Sequence, residues 1–368
     1  MSVDIGIIGL AKSGRTTIFN ALTGSGADTG KYTQEGSAPH IGTAKVPEPC
    51  LKTLADMLLS KRVVPASATY IDVGASVKGL VRDKGIGGQL LTQFSDVDAL
   101  INVVRAFSDE SIPHVEGSLD VERDIANMDL ELAFFDLALL ERRLERIEVS
   151  LKGVKPPERQ GLLQEQDLLV KIKTDLEKDV PIRELTLTTE ETRALANYQF
   201  LTDKPLLVVV NIGEDQLPQA ASLETGLNSR YFRPKCRVIT ICGKLEMELA
   251  QLDDSEAETL GSEFDINEPG AERVIKLSYE LLGLISFFTV VSGEVKVWSV
   301  QNGTDAVKAA GKIHSDMERG FIRAEVIGHD NLIKCGSLPE ARKKGLLRSE
   351  GKNYIVQDGD VITFLFNV

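Results

Sequence analysis

A strand-length apolar run, Val3-Asp4-Ile5-Gly6-Ile7-Ile8, halts at Gly9, and after four more residues the chain resumes as Gly14-Arg15-Thr16-Thr17. A helix-like pattern through Ile18, Phe19, Ala21 and Leu22 follows at once. Strand, glycine loop and helix with the spacing G-x-x-x-x-G-K-[ST] is the P-loop arrangement, in which loop amides and a helix N-terminus surround a triphosphate. Gly9, Leu10, Ala11, Lys12, Ser13, Gly14, Arg15, Thr16 and Thr17 are the candidate phosphate-binding residues, and the Thr16 hydroxyl is placed to hold Mg2+. One position departs, since the phosphate lysine is Arg15. The same spacing also fits an ordinary glycine-rich βα turn that packs and binds nothing, so the rest of the chain has to decide.

The later strands carry the partners such a loop needs. Thr69-Tyr70-Ile71-Asp72-Val73 is strand-like and ends on an aspartate, the place for a second Mg2+ ligand. The runs 100–104, 206–210 and 237–241 are near-continuously apolar, as buried parallel strands should be. Their alternation with helical stretches predicts an α/β fold, a doubly wound parallel sheet binding its ligand at the carboxyl ends of the strands. Directly after the run 206–210 comes Asn211-Ile212-Gly213-Glu214, where GTPases carry N-K-x-D with an aspartate that accepts two donors from guanine. The longer Glu214 disturbs that pairing and favours adenine, whose exocyclic amine is a donor beside an acceptor nitrogen. A GTPase that tolerates Glu214 stays as an alternative. Asn211, Glu214 and Cys242 join the candidate nucleotide-contacting set.

Two further textures interrupt and end the sheet region. Residues 127–152 contain no Gly or Pro, and Leu137, Leu140, Leu144, Ile147 and Leu151 step by three and four. Gly153, Pro156 and Pro157 break the chain before a second seam of Leu169, Ile172 and Leu176, so an inserted antiparallel helical hairpin is expected. From about residue 283 the pattern turns to period two, at 294–300 and 321–327. Asp358-Gly359 between the runs 354–356 and 361–366 predicts a β-hairpin in a small mixed β domain. The expected division is a sheet domain at 1–125 and 200–282, the hairpin at 126–199, and the β domain at 283–368.

Charge and cysteine content limit the partners. A net charge of -13 argues against wholesale wrapping of nucleic acid. From residue 294 on, 11 Lys and Arg nearly balance 10 Asp and Glu, so the acidity lies elsewhere and Arg342-Lys343-Lys344 is a possible RNA-facing patch. The four cysteines are scattered without a C-x-x-C pair, which fits a reducing compartment and no zinc site. No signal peptide is expected. The longest apolar run, near 281–291, is too short and too broken to span a bilayer, so a cytoplasmic protein with no membrane contact is expected.

Asn-x-x-Glu at the fourth GTPase position, a hairpin inserted in the sheet domain and a terminal β domain together resemble the YchF/Obg-like ATPases. The likeness is strongest in Ile313-His314-Ser315-Asp316-Met317-Glu318-Arg319-Gly320-Phe321-Ile322-Arg323 and in Glu350-Gly351-Lys352-Asn353-Tyr354-Ile355-Val356-Gln357-Asp358-Gly359-Asp360. The resemblance runs over essentially the whole chain. It implies a P-loop NTPase (G) domain, a C-terminal β-grasp (TGS) domain, ATP preferred over GTP, and association with the ribosome through RNA. It also singles out His114, in Ile112-Pro113-His114-Val115-Glu116-Gly117, as the residue implicated in hydrolysis. A neutral imidazole there can orient water.

Departures from the family cluster around the γ-phosphate. Arg15 replaces the lysine, Gly36 stands where a switch threonine completes Mg2+ coordination, and Ala75 replaces the switch glycine in Asp72-Val73-Gly74-Ala75-Ser76. Thr33 or Ser37 are substitutes for that threonine, and Glu35 stands where many members carry a redox-linked cysteine. The expectation is a nucleotide-binding protein whose hydrolysis is slow, altered or lost. A non-hydrolysing adaptor for RNA or the ribosome is the competing class.

Overall fold

The computed structural model describes residues 3–27, 39–73, 94–153, 155–231, 233–264, 266, 268–291 and 293–367. The apolar runs of the first two-thirds become strands: β1 (Val3–Gly9), β2 (His40–Lys45), β4 (Ser67–Asp72), β5 (Ala99–Arg105), β6 (Leu206–Asn211) and β7 (Cys236–Ile241). They lie in the order β2-β4-β1-β5-β6-β7. β1 with β5, β5 with β6 and β6 with β7 are parallel, with Ile5 opposite Ala99, Leu100 opposite Leu206, and Leu206 opposite Cys236. Every residue of β5 and β6 is buried, which explains why both read as unbroken apolar runs rather than as an alternation. Between β2 and β4 the chain carries helix α2 (Pro49–Met57) and strand β3 (Arg62–Val64), and helix α1 (Arg15–Thr23) follows β1.

The seams also fold as their spacing requires. Helix α3 (Val121–Leu151) and helix α4 (Pro156–Leu176), which opens on its two prolines, bury Leu140, Ile147, Leu169, Ile172 and Leu176 against one another. Burying a side chain of this size contributes roughly 1.5–3 kcal/mol. The first half of α3 does different work: Met128, Leu132 and Phe135 pack into the sheet core with Ile8, Leu100, Val104 and Val208. At the junction, the buried Asp136 carboxylate accepts from Leu201 N at 2.9 Å, Thr202 N at 2.8 Å and Thr202 Oγ1 at 2.7 Å. Burial pushes its pKa up to about 6 despite those three donors.

The chain divides into two units, Met1–Ala44 with Thr69–Val274, and Lys45–Ala68 with Ile275–Val368. The hairpin does not separate from the sheet, because α3 is one continuous helix shared by both cores. The second unit holds β8 (Leu284–Val291), β9 (Glu294–Gln301), β10 (Phe321–Gly328), β11 (Arg348–Glu350) and β12 (Asp360–Phe366), in the order β11-β10-β12-β8-β9-β3. Helix α5 (Gly243–Leu249) belongs to the first unit, and helix α6 (Ala306–Ile313) packs Ala306, Ala309 and Ala310 against Phe287, Ala324 and Ile362 of the second sheet, the β-grasp arrangement. Residues 45–68 belong here because β3 pairs in parallel with β9, Arg62 opposite Glu294, which a division at 283 by sequence order alone misses.

One local expectation is corrected. Residues 354–356 do not form a strand paired to β12; Ile355 makes a lone bridge to Asp305. The Asp358 carboxylate accepts from Ser286 N at 2.8 Å and Gly359 N donates to Ser286 O at 2.8 Å, so the turn hands the chain to β8 instead of folding it back. β12 then pairs in parallel with β8 and antiparallel with β10. Among the described residues no helix is long and apolar enough to cross a membrane.

Candidate nucleotide site

Backbone geometry at the end of β1 demands glycine twice. A Cβ on Gly9, at φ +154°, would lie 2.5 Å from Val103 O and 2.8 Å from Ser13 Oγ. A Cβ on Gly14, at φ +93°, would collide with the Asn211 amide nitrogen. Between them Leu10 and Ser13 are buried, while Lys12 is exposed at φ +64°. α1 begins at Arg15 with Gly14 as its cap and no side-chain hydrogen bond from that cap, and a helix N-terminus is where backbone amides can hold an anion.

The strand ends converge on this loop. Asn211, at the end of β6, donates from Nδ2 to Ser13 O at 3.0 Å and accepts at Oδ1 from Gly243 N at 3.0 Å. It braces the loop against the first turn of α5, and one N–H of its amide is left over for a ligand. Glu214 sits three residues on and pairs with Lys244 at 2.9 Å, both well exposed. Cys242 caps α5 and is buried, and burial pushes its thiol pKa up. Asn211 thus acts inside the protein scaffold, and Glu214 faces outward.

Thr16 Oγ1 donates to Asp72 Oδ2 at 2.7 Å, which joins the two expected Mg2+ residues across 56 positions of sequence. Asp72 is fully buried, and its Oδ1 has no hydrogen-bond partner among the described residues. An oriented hydroxyl beside an orphaned carboxylate oxygen fits a hard divalent cation, which in phosphate sites takes few protein ligands and completes its shell from phosphate and water. Arg15 turns the other way. Its Nη1 donates to Val73 O at 2.9 Å, and burial lowers its pKa while Asp72 opposes that shift.

His114 lines a tight crevice beside the loop with Leu10, Ala11, Ser13, Arg105 and Asp124. Its Nε2 meets Asp124 Oδ2 at 3.0 Å, and its Nδ1 accepts from Glu116 N at 3.1 Å. Nδ1 is thus hydrogen-bonded to the backbone, while Nε2 and the Asp124 carboxylate lie close without an aligned hydrogen bond, both beside the loop. Thr33, Glu35, Gly36, Ser37, Ala75 and Ser76 lie outside the described residues. In the second unit Arg342 pairs with Glu325 and Lys343 with Glu340, which neutralises two charges of the basic run.

Sequence reasoning passed over His40. It opens β2, its ring lies 5.9 Å from that of Phe19, and its Nδ1 is 3.6 Å from Asp72 Oδ2. The available signal was positional: a histidine at the start of a strand that neighbours the one ending in Asp72.

Comparison with known proteins accords with this arrangement. The YchF-GTPase_C family model, described as a protein of unknown function (DUF933), matches residues 284–367. The ribosome-binding ATPase YchF of Bacillus subtilis is 37% identical over 370 residues, covering 100% of both chains. That of Escherichia coli O157:H7 is 36% identical over 368 residues, again with 100% coverage of both. The solved YchF GTPase of Schizosaccharomyces pombe is 27% identical, covers 99% of this chain and 98% of its own, and superposes with a TM-score of 0.82. Identity at this level from end to end leaves one conclusion: the chain belongs to the YchF family.

Proposed function

We propose that this protein binds ATP in preference to GTP and associates with the ribosome, as an ATPase of weakened turnover. The reading rests above all on the Asn211 brace, which ties the phosphate loop to α5 in the way a nucleotide pocket requires. The names of its full-length relatives, ribosome-binding ATPases, point the same way. Gly9 to Thr17 would hold the phosphates through loop amides and the first turn of α1. Glu214 would meet the base, and Thr16 with Asp72 would hold Mg2+. When bound, that cation neutralises phosphate charge. His114 would orient the attacking water once turned from the Asp124 carboxylate, whose Oδ2 lies 3.0 Å from its Nε2.

The same geometry supports weak turnover. A guanidinium tied to Val73 O is not free for the γ-phosphate, and its planar fork replaces a compact ammonium inside a tight nest. These two facts also favour the second reading, a non-hydrolysing adaptor for RNA or the ribosome. Calorimetric titration with ATP, GTP and non-hydrolysable analogues, followed by single-turnover hydrolysis, separates the two. Binding with slow cleavage is expected, binding without cleavage selects the adaptor, and no binding of either nucleotide at millimolar concentration rejects both the ATPase and the GTPase readings. Co-sedimentation with ribosomes over a salt series tests the partner, and no pelleting at low salt removes it.

A further inference from the structure

Among the described residues, His40 Nδ1 and Asp72 Oδ1 are two buried polar atoms without a hydrogen-bond partner, and they belong to side chains that face each other at the Thr16 hydroxyl. Leaving such an atom unmet is destabilising, so a ligand that meets both would be favoured. The 3.6 Å between His40 Nδ1 and Asp72 Oδ2 is too long for a hydrogen bond, so the imidazole is not simply a prop for the carboxylate. Phe19 packs beside the imidazole on α1. Gly42 lets β2 approach α1 closely, since a Cβ there would lie 2.8 Å from Thr23 Cγ2 and 3.0 Å from Phe19 Cζ. A ring held in place with an unused in-plane nitrogen is the form in which histidine binds metals.

The spacing suits one shared cation. Nitrogen and carboxylate ligands about 2.1 Å from a single metal lie roughly 3.0–3.4 Å apart, between octahedral and tetrahedral angles. His40 Nδ1 and Asp72 Oδ2 need to close by only a few tenths of an ångström. The proton of the Thr16 hydroxyl is already committed to Asp72, which leaves its oxygen lone pairs for the same ion.

We propose that His40 Nδ1 is a direct ligand of the divalent cation held at Thr16 and Asp72, and that it turns this site from Mg2+ towards Mn2+ and Co2+. Mg2+ demands oxygen ligands and a near-ideal octahedron, whereas imidazole suits the transition divalents. The proposal rests on the nucleotide site described above but assigns it a nitrogen ligand and a cation class.

Pulsed electron spin resonance of Mn2+ on the full-length protein with ADP tests this without any turnover. Coupling to 31P reports that the metal sits on nucleotide, and 14N modulation reports a bound imidazole. Both are expected in the wild type. His40→Asn is expected to keep the 31P coupling, lose the 14N modulation and bind Mn2+ at least about tenfold more weakly relative to Mg2+, the scale on which metal-site partners act. Wild-type 31P coupling without 14N overturns the proposal. So does 14N modulation that persists in His40→Asn, since the chain has four histidines. If 31P coupling is absent and a fluorescent ADP analogue does not bind, the nucleotide reading has failed. The 14N signal of Mn2+ alone, compared between wild type and His40→Asn, then decides the role of His40 separately.

Discussion

Arg15 Nη1 donates to the carbonyl of Val73 at 2.9 Å, one residue beyond the carboxylate that Thr16 touches. Adjacent residues of α1 therefore grip adjacent residues at the end of β4. The guanidinium of one residue and the hydroxyl of the next thus tie the start of α1 to the end of β4.

Arg15→Lys cuts that tether, because a lysine cannot reproduce the planar fork. Losing a charge-assisted hydrogen bond costs about 1–2 kcal/mol here. The variant is expected to melt a few degrees below wild type without nucleotide, and to bind ATP more tightly as the compact ammonium becomes available to phosphate. Differential scanning calorimetry and titration read the two effects separately. Unchanged melting together with unchanged affinity removes the tether from the account.

Most of this architecture was legible because its signals were local. β5 and β6 are buried on both faces, so period and composition announce them, and the Leu140/Ile147/Leu169/Ile172 seam shows its spacing directly. What escaped was set by contacts distant in sequence. β3 joins β9 from more than two hundred residues away, and no periodicity in Arg62-Val63-Val64 announces a partner. The Asp358-Gly359 turn looked like a hairpin because its use by Ser286 depends on where β8 lies. His40 escaped for the same reason, since its significance comes from facing Asp72 and not from any motif of its own.

Stability and base choice should separate at Asn211 and Glu214. Asn211→Ala strands Ser13 O and Gly243 N in a buried setting and is expected to cost about 2–4 kcal/mol, with loss of all nucleotide binding. Glu214 makes only an exposed pair with Lys244, worth less than about 1 kcal/mol. Glu214→Asp is expected to leave melting unchanged while moving the ATP-to-GTP affinity ratio towards GTP by about tenfold, roughly 1.4 kcal/mol. Equal effects on both nucleotides would place Glu214 away from the base.

Asp124 Oδ2 lies 3.0 Å from His114 Nε2, and Asp124 Oδ1 accepts from Arg123 Nε at 3.0 Å. Asp124→Asn removes the carboxylate charge beside the imidazole while keeping the shape of the side chain. Single-turnover hydrolysis of ATP should then rise severalfold with little change in ATP affinity, and adding His114→Ala should abolish the gain. If Asp124→Asn only lowers stability, His114 is a structural residue of the crevice.

Asp136 supplies a pH signature of the hairpin root. Its folded pKa is raised to about 6 from a model-compound value of 3.8, so the folded state takes up the proton more readily than the unfolded one. The stability it contributes is fully present below about pH 4, declines as the pH rises, and is lost once the pH passes about 6, a change on the order of 2–3 kcal/mol. Asp136→Asn cannot titrate. It also offers one acceptor where the aspartate offers two to Leu201 N and Thr202 N, so the variant is expected to be less stable throughout. The informative quantity is the difference between the two urea unfolding profiles at pH 4.5, 5.5, 6.5 and 7.5. Wild type should lose part of its advantage over the variant as pH rises across that series, and parallel profiles would mean that Asp136 carries an ordinary carboxylate pKa, its three donors offsetting its burial.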